Sequence, residues 1–311
     1  MTIRPLALLD LPYLHSFRDE AVGLDTARML TRGNPLGAAG LFSYVNPARH
    51  IYSAIANGEG DSLLGGIIHS RNETFAKLYY LAPASQLGHP YLPDLIENLT
   101  AQAGTWGAFH VLAEVDETSD AFVPLRKSGF SVYAWQRMWD VSEVVEQRSE
   151  QSRGSSSEGW TRVRSVHLPS VQSLYHQIVP PLLHPIESQP KSPLGWMSND
   201  GALCYAGVVH GVYGIVLTPL IHPEATSVSE KLTSLISNLP DRRSRSVYIC
   251  VRSYQAWLEP VLKDLGATAA SRQAVMVKHL ARLVKNGQTA PAMPTGVRVQ
   301  PSRVSKVEGN K

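Results

Sequence analysis

The sequence predicts an α/β (α+β) protein made of two tandem domains of one fold, and three observations lead to that prediction. The pattern Leu9-Asp10-Leu11-Pro12 follows a strand-like start, and Val166-His167-Leu168-Pro169 repeats it near the middle. Each half closes with a helix-like run that ends at a glycine, Gly129 and then Gly266. The repeat spans about 140–150 residues, which is the size of a domain and too long for a solenoid unit.

In the first half, the predicted order is strand, helix, strands, helix, strand, helix, strand. Two apolar runs, residues 63–69 and 77–81, flank a polar turn and predict an antiparallel hairpin. A helix is predicted next, because apolar residues recur at helical spacing at Tyr91, Leu92, Leu95, Ile96 and Leu99. Residues 109–115 then form a predicted strand, a helix covers about 120–128, and a final strand starts at residue 130.

The second half repeats this order in shortened form. Residues 203–210 and 212–221 predict a hairpin with Gly211 at its turn. A helical stripe, a buried strand at 247–251, a helix at 257–265 and a strand at 274–278 follow. The predicted domains are therefore residues 1–142 and 160–284. A polar linker at 143–159 joins them, and a basic, disordered tail occupies 285–311.

Composition narrows the class of protein. The chain has 29 basic and 26 acidic residues, a formal charge of +3, so no strong field predicts binding to nucleic acid or to an acidic membrane. The two cysteines, Cys204 and Cys250, lie in apolar runs and are expected to be reduced core thiols. No stretch reaches the ~20 apolar residues of a membrane span, and no metal-ligand spacing is present. We therefore expect a soluble, cytoplasmic protein without a metal site.

The order of elements resembles the GCN5-related N-acetyltransferase (GNAT) family, here as a tandem pair over roughly residues 2–141 and 160–284. The resemblance rests on Arg4-Pro5 before Asp10-Leu11-Pro12, on Leu81-Ala82-Pro83, and on Arg126-Lys127-Ser128-Gly129-Phe130. It implies two acyl-CoA N-acyltransferase-like domains, each a mixed, mostly antiparallel sheet flanked by helices. In that family an acyl-CoA lies where the fourth and fifth strands separate, and its pyrophosphate rests on amides that open the next helix.

The resemblance places an altered cofactor loop at residues 85–91. Gln86 stands at the family's Gln or Arg position, but Gly88 is one place early and Pro90 removes an amide. Thr118 stands where the family has an asparagine after the fifth strand. The resemblance thus assigns acetyl-CoA binding to Leu81, Gln86, Leu87, Gly88, His89 and Thr118.

The predicted catalytic residues are Glu114 on the fifth strand and Tyr80 on the fourth. Glu114 should point away from its neighbours Ala113 and Val115 and could accept the proton of an ammonium group. Leu125 falls where the family has the tyrosine that protonates the departing thiolate, so another group or water must supply that proton. His69 is a weaker candidate base.

In the second half, the corresponding loop at residues 223–228 has no glycine and carries Glu224, which would repel a pyrophosphate. Leu262 again replaces the tyrosine. The second domain is therefore expected to be a structural or substrate-facing partner of the first.

Two functions remain open at this level. The first is an N-acyltransferase that moves an acetyl group from acetyl-CoA to a primary amine, with the cofactor in the N-terminal domain. The alternative is a non-catalytic binding or scaffold protein built from two degenerate GNAT-like domains. The helix that follows Leu81-Ala82-Pro83 favours the first function, whereas the altered loop and Leu125 favour the second.

Overall fold

Within the described residues, thirteen strands form one continuous sheet that runs through both halves of the chain. The computed structural model describes residues 2–6, 10–37, 49–58, 62–71, 73–144, 159–199, 203–240 and 242–280. Residues 145–158 of the predicted linker and the predicted tail at 285–311 lie outside this description. Residues Met1–Ala281 form one compact unit.

The first half contains seven strands and four helices among the described residues. The strands are β1 Thr2–Pro5, β2 Val22–Gly23, β3 Arg49–Asn57, β4 Ser62–Ser70, β5 Phe75–Ala82, β6 His110–Asp116 and β7 Ser131–Asp140. The helices are α1 Leu11–Ser16, α2 Thr26–Arg32, α3 Leu92–Thr105 and α4 Phe122–Lys127.

The second half repeats this succession with one strand and one helix fewer among the described residues. Its strands are β8 Trp160–Arg162, β9 Trp196–Ser198, β10 Cys204–His210, β11 Gly214–Ile221, β12 Ser246–Arg252 and β13 Thr268–His279. Its helices are α5 Leu168–Ile178, α6 Val228–Ser237 and α7 Leu258–Asp264.

The last strand of each half lies beside a strand of the other half. The sheet order is β1-β3-β4-β5-β6-β13-β7-β12-β11-β10-β9-β8, with β2 paired to β5 outside this path. β13 pairs antiparallel with β6, and β7 pairs antiparallel with β12. The two halves therefore share hydrogen bonds through the middle of the sheet. The domain boundaries at 142 and 160 stay a prediction.

The sheet has a large apolar core on the face covered by α3. This core includes Leu95, Ile96 and Leu99 of α3 together with Ala113 and Val115 of β6. A second core, under α6 and α7, serves the second half. The opposite face carries α1, α2 and α5, and the candidate site lies there.

Most predicted elements are confirmed. The β4–β5 and β10–β11 hairpins are antiparallel, and both half-closing glycines have positive φ, +89° at Gly129 and +91° at Gly266. β13 begins earlier than predicted, because the side chains of residues 268–272 are exposed and show no apolar pattern. Both cysteines are buried thiols outside any disulfide, as predicted. None of the described helices is long and apolar enough to span a membrane.

Candidate functional site

The parallel strands β5 and β6 separate after a short pairing. Only Phe75, Ala76 and Lys77 of β5 pair with β6, opposite His110, Val111 and Leu112. β4 covers the other edge of β5 along residues 76–82. Beyond Lys77, the free edge of β5 therefore faces a gap, which is the place where the resemblance puts an acyl-CoA.

This gap is filled by the chain itself. β2 pairs antiparallel with β5, with Val22 opposite Leu81 and Gly23 opposite Tyr80. The next residue, Leu24, donates its amide to the Tyr79 carbonyl at 3.0 Å and accepts the Glu114 amide at 2.9 Å. Because Leu24 bonds to both strands, residues 22–24 lie between them. The Leu24 side chain is fully buried in the core under α3.

The loop that leads into α3 pairs most of its amides internally. The Leu87 and His89 amides donate to the carbonyls of Ala84 and Gln86, and the Leu92 amide donates to the His89 carbonyl. The Tyr91 amide donates to the His89 ring at 3.3 Å. Pro90 and Pro93 have no amide hydrogen, and Asp94 adds a negative charge to the first turn. Few donors remain here for a pyrophosphate.

The corresponding gap in the second half is bridged by one side chain. β11 and β12 pair in parallel from Gly214 to Leu217 and then separate. The buried carboxamide of Gln255 accepts the Ile221 amide at 2.9 Å and donates to the Pro219 carbonyl at 2.8 Å. The Gln255 side chain thus makes the hydrogen bonds to the edge of β11 that a neighbouring strand would otherwise make. Both gaps are closed from within the molecule.

A cavity of about 540 Å³ lies on the face opposite α3. Its floor comes from strands of both halves, including Lys77, Glu114, Val216 and Arg252. α2 forms one wall, and α5 with the segment 186–194 forms another. Its volume is in the range of small-molecule sites, and both halves of the chain are needed to build it.

Buried charges form a connected network on the cavity floor. Lys77 Nζ lies 3.1 Å from Asp25 Oδ1 and 3.8 Å from Glu114 Oε1. Arg252 lies 4.0 Å from Glu114 and 3.3 Å from Glu187. Glu187 belongs to the second half, so the network ties the second half to α2 through Arg252, Glu114 and Lys77. Removing one member would leave a buried charge without its partner.

The network shifts the pKa values of its members. Burial raises the pKa of Asp25, but the charges of Lys77 and Arg28 outweigh burial and hold that pKa below its ordinary value. Burial raises the pKa of Glu187, and Arg252 only partly opposes this shift. Burial also raises the pKa of the Cys250 thiol to about 12, so this cavity-lining thiol is neutral near pH 7.

The two predicted catalytic residues lie in different surroundings. Glu114 points into the cavity, opposite to Ala113 and Val115 as predicted, and its Oε2 accepts the Thr26 amide at 2.9 Å. Its carboxylate therefore already has a hydrogen-bond donor and two nearby cations. Tyr80 is fully buried in the core under α1 and donates to Ser53 Oγ at 2.9 Å.

The predicted cofactor residues lie outside the cavity. Leu81 and Leu87 are buried in the core under α3, and Leu81 faces Val22 of β2. Gln86 ends a short 3₁₀ turn, and the His89 ring lies 4.4 Å from the Tyr91 ring. An added Cβ at Gly88 would meet open space. Thr118 donates its amide and hydroxyl to Asp116, which closes a turn after β6. His69 is buried and bonded to the Glu73 carbonyl.

Sequence reasoning missed several residues of the site. Lys77 lies inside an otherwise apolar strand, which is a signal for a buried, paired charge. Arg252 similarly ends the apolar run 247–251. Asp25, Glu187 and Gln255 lie in short connecting segments without a regular pattern, so one sequence does not mark them. Within the described residues, no cluster of three potential metal ligands is present.

No protein-family model and no curated protein matches this sequence. Solved structures do match. A GCN5-related N-acetyltransferase from Sphaerobacter thermophilus is 12% identical with a TM-score of 0.54, over 89% of this chain and 95% of that chain. A tandem GNAT protein from the clavulanic acid biosynthesis pathway is 13% identical with a TM-score of 0.52, over 89% and 98%.

A third match, a putative acetyltransferase from Pyrococcus horikoshii, is 12% identical with a TM-score of 0.50, over 90% and 89% of the two chains. At such identities the likeness concerns the fold. It extends through both halves, and its mixed, mostly antiparallel sheet and flanking helices are those predicted. The chain therefore has the fold of the GCN5-related N-acetyltransferases, in an arrangement similar to that of a tandem GNAT protein.

Proposed function

We propose that this protein uses the GNAT fold to bind a small polar molecule in the cavity between its halves, without acyl transfer. The observation that carries the proposal is the closure of the cofactor gap by residues 22–24, which bond to β5 and β6 where a pantetheine chain would lie. Gln255 closes the second gap in the same way. The cavity remains open to a ligand, and both halves line it.

Three further features support this proposal. The loop before α3 pairs most of its amides internally, so few donors remain to hold a pyrophosphate. Leu125 is fully buried in the apolar core and has no proton to give a thiolate. Glu114 is bonded to the amide of Thr26 beside Lys77 and Arg252, which is the environment of a structural carboxylate.

Acyl transfer is the second candidate, because the GNAT fold supports acyl transfer in general. In that case an acetyl-CoA would occupy the β5–β6 gap of the first half after residues 22–24 had withdrawn. The nitrogen of a primary amine would attack the thioester carbonyl, forming the C–N bond as the C–S bond breaks. Coenzyme A would leave as a thiolate and take its proton from water. Glu114, which faces the cavity, would accept the proton of the amine. In this candidate Tyr80 keeps its predicted catalytic role. The predicted acetyl-CoA-binding residues are also unchanged: Leu81, Gln86, Leu87, Gly88, His89 and Thr118.

Calorimetric titration of the full chain with acetyl-CoA separates the two candidates. The proposal expects no saturable heat up to millimolar acetyl-CoA, for the wild type and for Leu24→Ala alike, and no acetylation of a panel of primary amines. If the protein is an acyltransferase, acetyl-CoA should bind. It should bind Leu24→Ala more tightly than the wild type, because the truncated side chain holds residues 22–24 less firmly in the gap. Saturable binding with turnover would overturn the proposal.

A further inference from the structure

Three arginines converge at one end of the cavity. Arg28 and Arg32 lie one turn apart on α2 and so share a face of that helix, and Arg49 begins β3. All three line the cavity, and each is only partly exposed. Like charges four residues apart destabilise a helix, so local folding does not explain this arrangement.

The positive charge at this end is not balanced. Asp25 is the carboxylate nearest to Arg28, at 3.8 Å, but it lies closer to Lys77, at 3.1 Å. Within the described part of the chain, no carboxylate lies within 4.0 Å of Arg32 or Arg49. Burial and the like charges of Arg28 and Arg32 lower the pKa of Arg49. The three guanidinium groups therefore repel one another in a partly dry setting.

The Arg28 side chain lies against a tyrosine ring, and one of its hydrogen-bond donors has no partner. Its side chain is only 10% exposed, its guanidinium lies 5.2 Å from the centre of the Tyr79 ring, and its Nη1 has no hydrogen-bond partner. This cation–π contact holds the guanidinium near the ring without using its hydrogen-bond donors. A guanidinium restrained in this way, with its buried Nη1 unpaired, suits an oxygen of a carboxylate or phosphate.

Apolar side chains also line the cavity, beside the charged network on its floor. Phe75 and Leu112 of the first half and Val216 and Leu220 of the second half face it. A ligand that spans the cavity would place an apolar body against these four side chains and a charged group at the arginine end. The cavity volume of about 540 Å³ is sufficient for an organic molecule of this kind.

We propose that the cavity binds a small organic anion, with its carboxylate or phosphate held by Arg28, Arg32 and Arg49 and its apolar part against the apolar side chains of the cavity. This inference rests on the proposed function, since it names the class of molecule that the cavity takes. The two head groups share the same chemistry of paired oxygens, and the choice between them belongs to the test.

The test is thermal unfolding of the full chain with three probes: 3-phenylpropionate, phenyl phosphate and the uncharged 3-phenylpropionamide. All are measured against sodium chloride of equal ionic strength. We expect an anion, at tenfold its dissociation constant, to raise the Tm by about 3–6 °C, and the amide to leave it unchanged. The larger shift of the two anions identifies the preferred head group.

Arginine variants locate the binding. Arg32→Gln and Arg49→Gln should each weaken anion binding at least tenfold. They should also raise the Tm in chloride alone, because repulsion is relieved. Arg126→Gln, at an exposed arginine on α4, is the matched control and should change neither property.

Other outcomes would overturn the arginine assignment, the class of ligand or the proposed function. An equal shift by the amide, or a full anion shift in Arg32→Gln, overturns the arginine assignment but leaves a ligand-binding cavity. No shift with any probe overturns the assignment of an organic anion. If acetyl-CoA alone stabilises the protein and is turned over, the proposed function itself fails.

Discussion

The replacement of Leu24 by Ala probes how firmly residues 22–24 are seated between β5 and β6. Leu24 is 0% exposed and packs in the core under α3. Truncation of a fully buried leucine to alanine costs about 2–5 kcal/mol, from lost burial and from the cavity left behind. For a unit of this size we expect the Tm to fall by roughly 5–15 °C.

Thermal and urea unfolding of the purified full chain measure this loss. Leu182→Ala is the matched control, because Leu182 is 90% exposed and its truncation should change the free energy of unfolding by less than about 0.5 kcal/mol. A change of under about 1 kcal/mol in Leu24→Ala would refute the reasoning. Such a result would mean that the segment rests loosely in the gap and leaves it without a large penalty.

Three further predictions concern the network, the second gap and the loop before α3. Asp25→Asn should cost about 3 kcal/mol at pH 7. The pKa of Asp25 is lowered, so its contribution is present above the ordinary carboxyl pKa of about 4 and is lost as the pH falls through the lowered value. Urea unfolding of both proteins from pH 7 to pH 3 should therefore show a shrinking difference, and a constant difference would contradict the pairing with Lys77. Gln255→Leu leaves two buried backbone groups unpaired and should lower the free energy of unfolding in urea by roughly 2–4 kcal/mol. The control Gln177→Leu, at an exposed glutamine, should leave that free energy almost unchanged. Equal losses in the two variants would contradict the bridging role of Gln255. Gly88→Val should leave the Tm unchanged, because its Cβ meets open space, and a Tm fall above about 3 °C would show that the loop is packed differently.

The elements that the sequence predicted well are those with a strong local pattern. The stripe from Tyr91 to Leu99 repeats at helical spacing, and α3 covers Leu92–Thr105. The polar turn between two apolar runs identified the β4–β5 hairpin. Gly129 and Gly266 marked helix ends because their positive φ values suit glycine.

The arrangement of the site could not be predicted, because it depends on contacts between distant segments. β2 has only two residues, too few for an alternating pattern, and its place is set by the free edge of β5. The pairing of β7 with β12 and of β13 with β6 could not be predicted either. Each of these strands carries apolar residues that would suit a neighbouring strand from either half. The charged network joins Asp25, Lys77, Glu114, Glu187 and Arg252, and a single sequence does not show that distant charges meet.

The central claim is that residues 22–24 form part of the sheet and close the β5–β6 gap. Hydrogen exchange of two backbone amides tests it directly: Leu24, which donates to Tyr79, and Glu114, which donates to Leu24. The account predicts that both exchange as slowly as amides of the β4–β5 ladder, and that millimolar acetyl-CoA leaves their rates unchanged. Rapid exchange of Leu24 and Glu114, or a change in their rates on addition of acetyl-CoA, would contradict it.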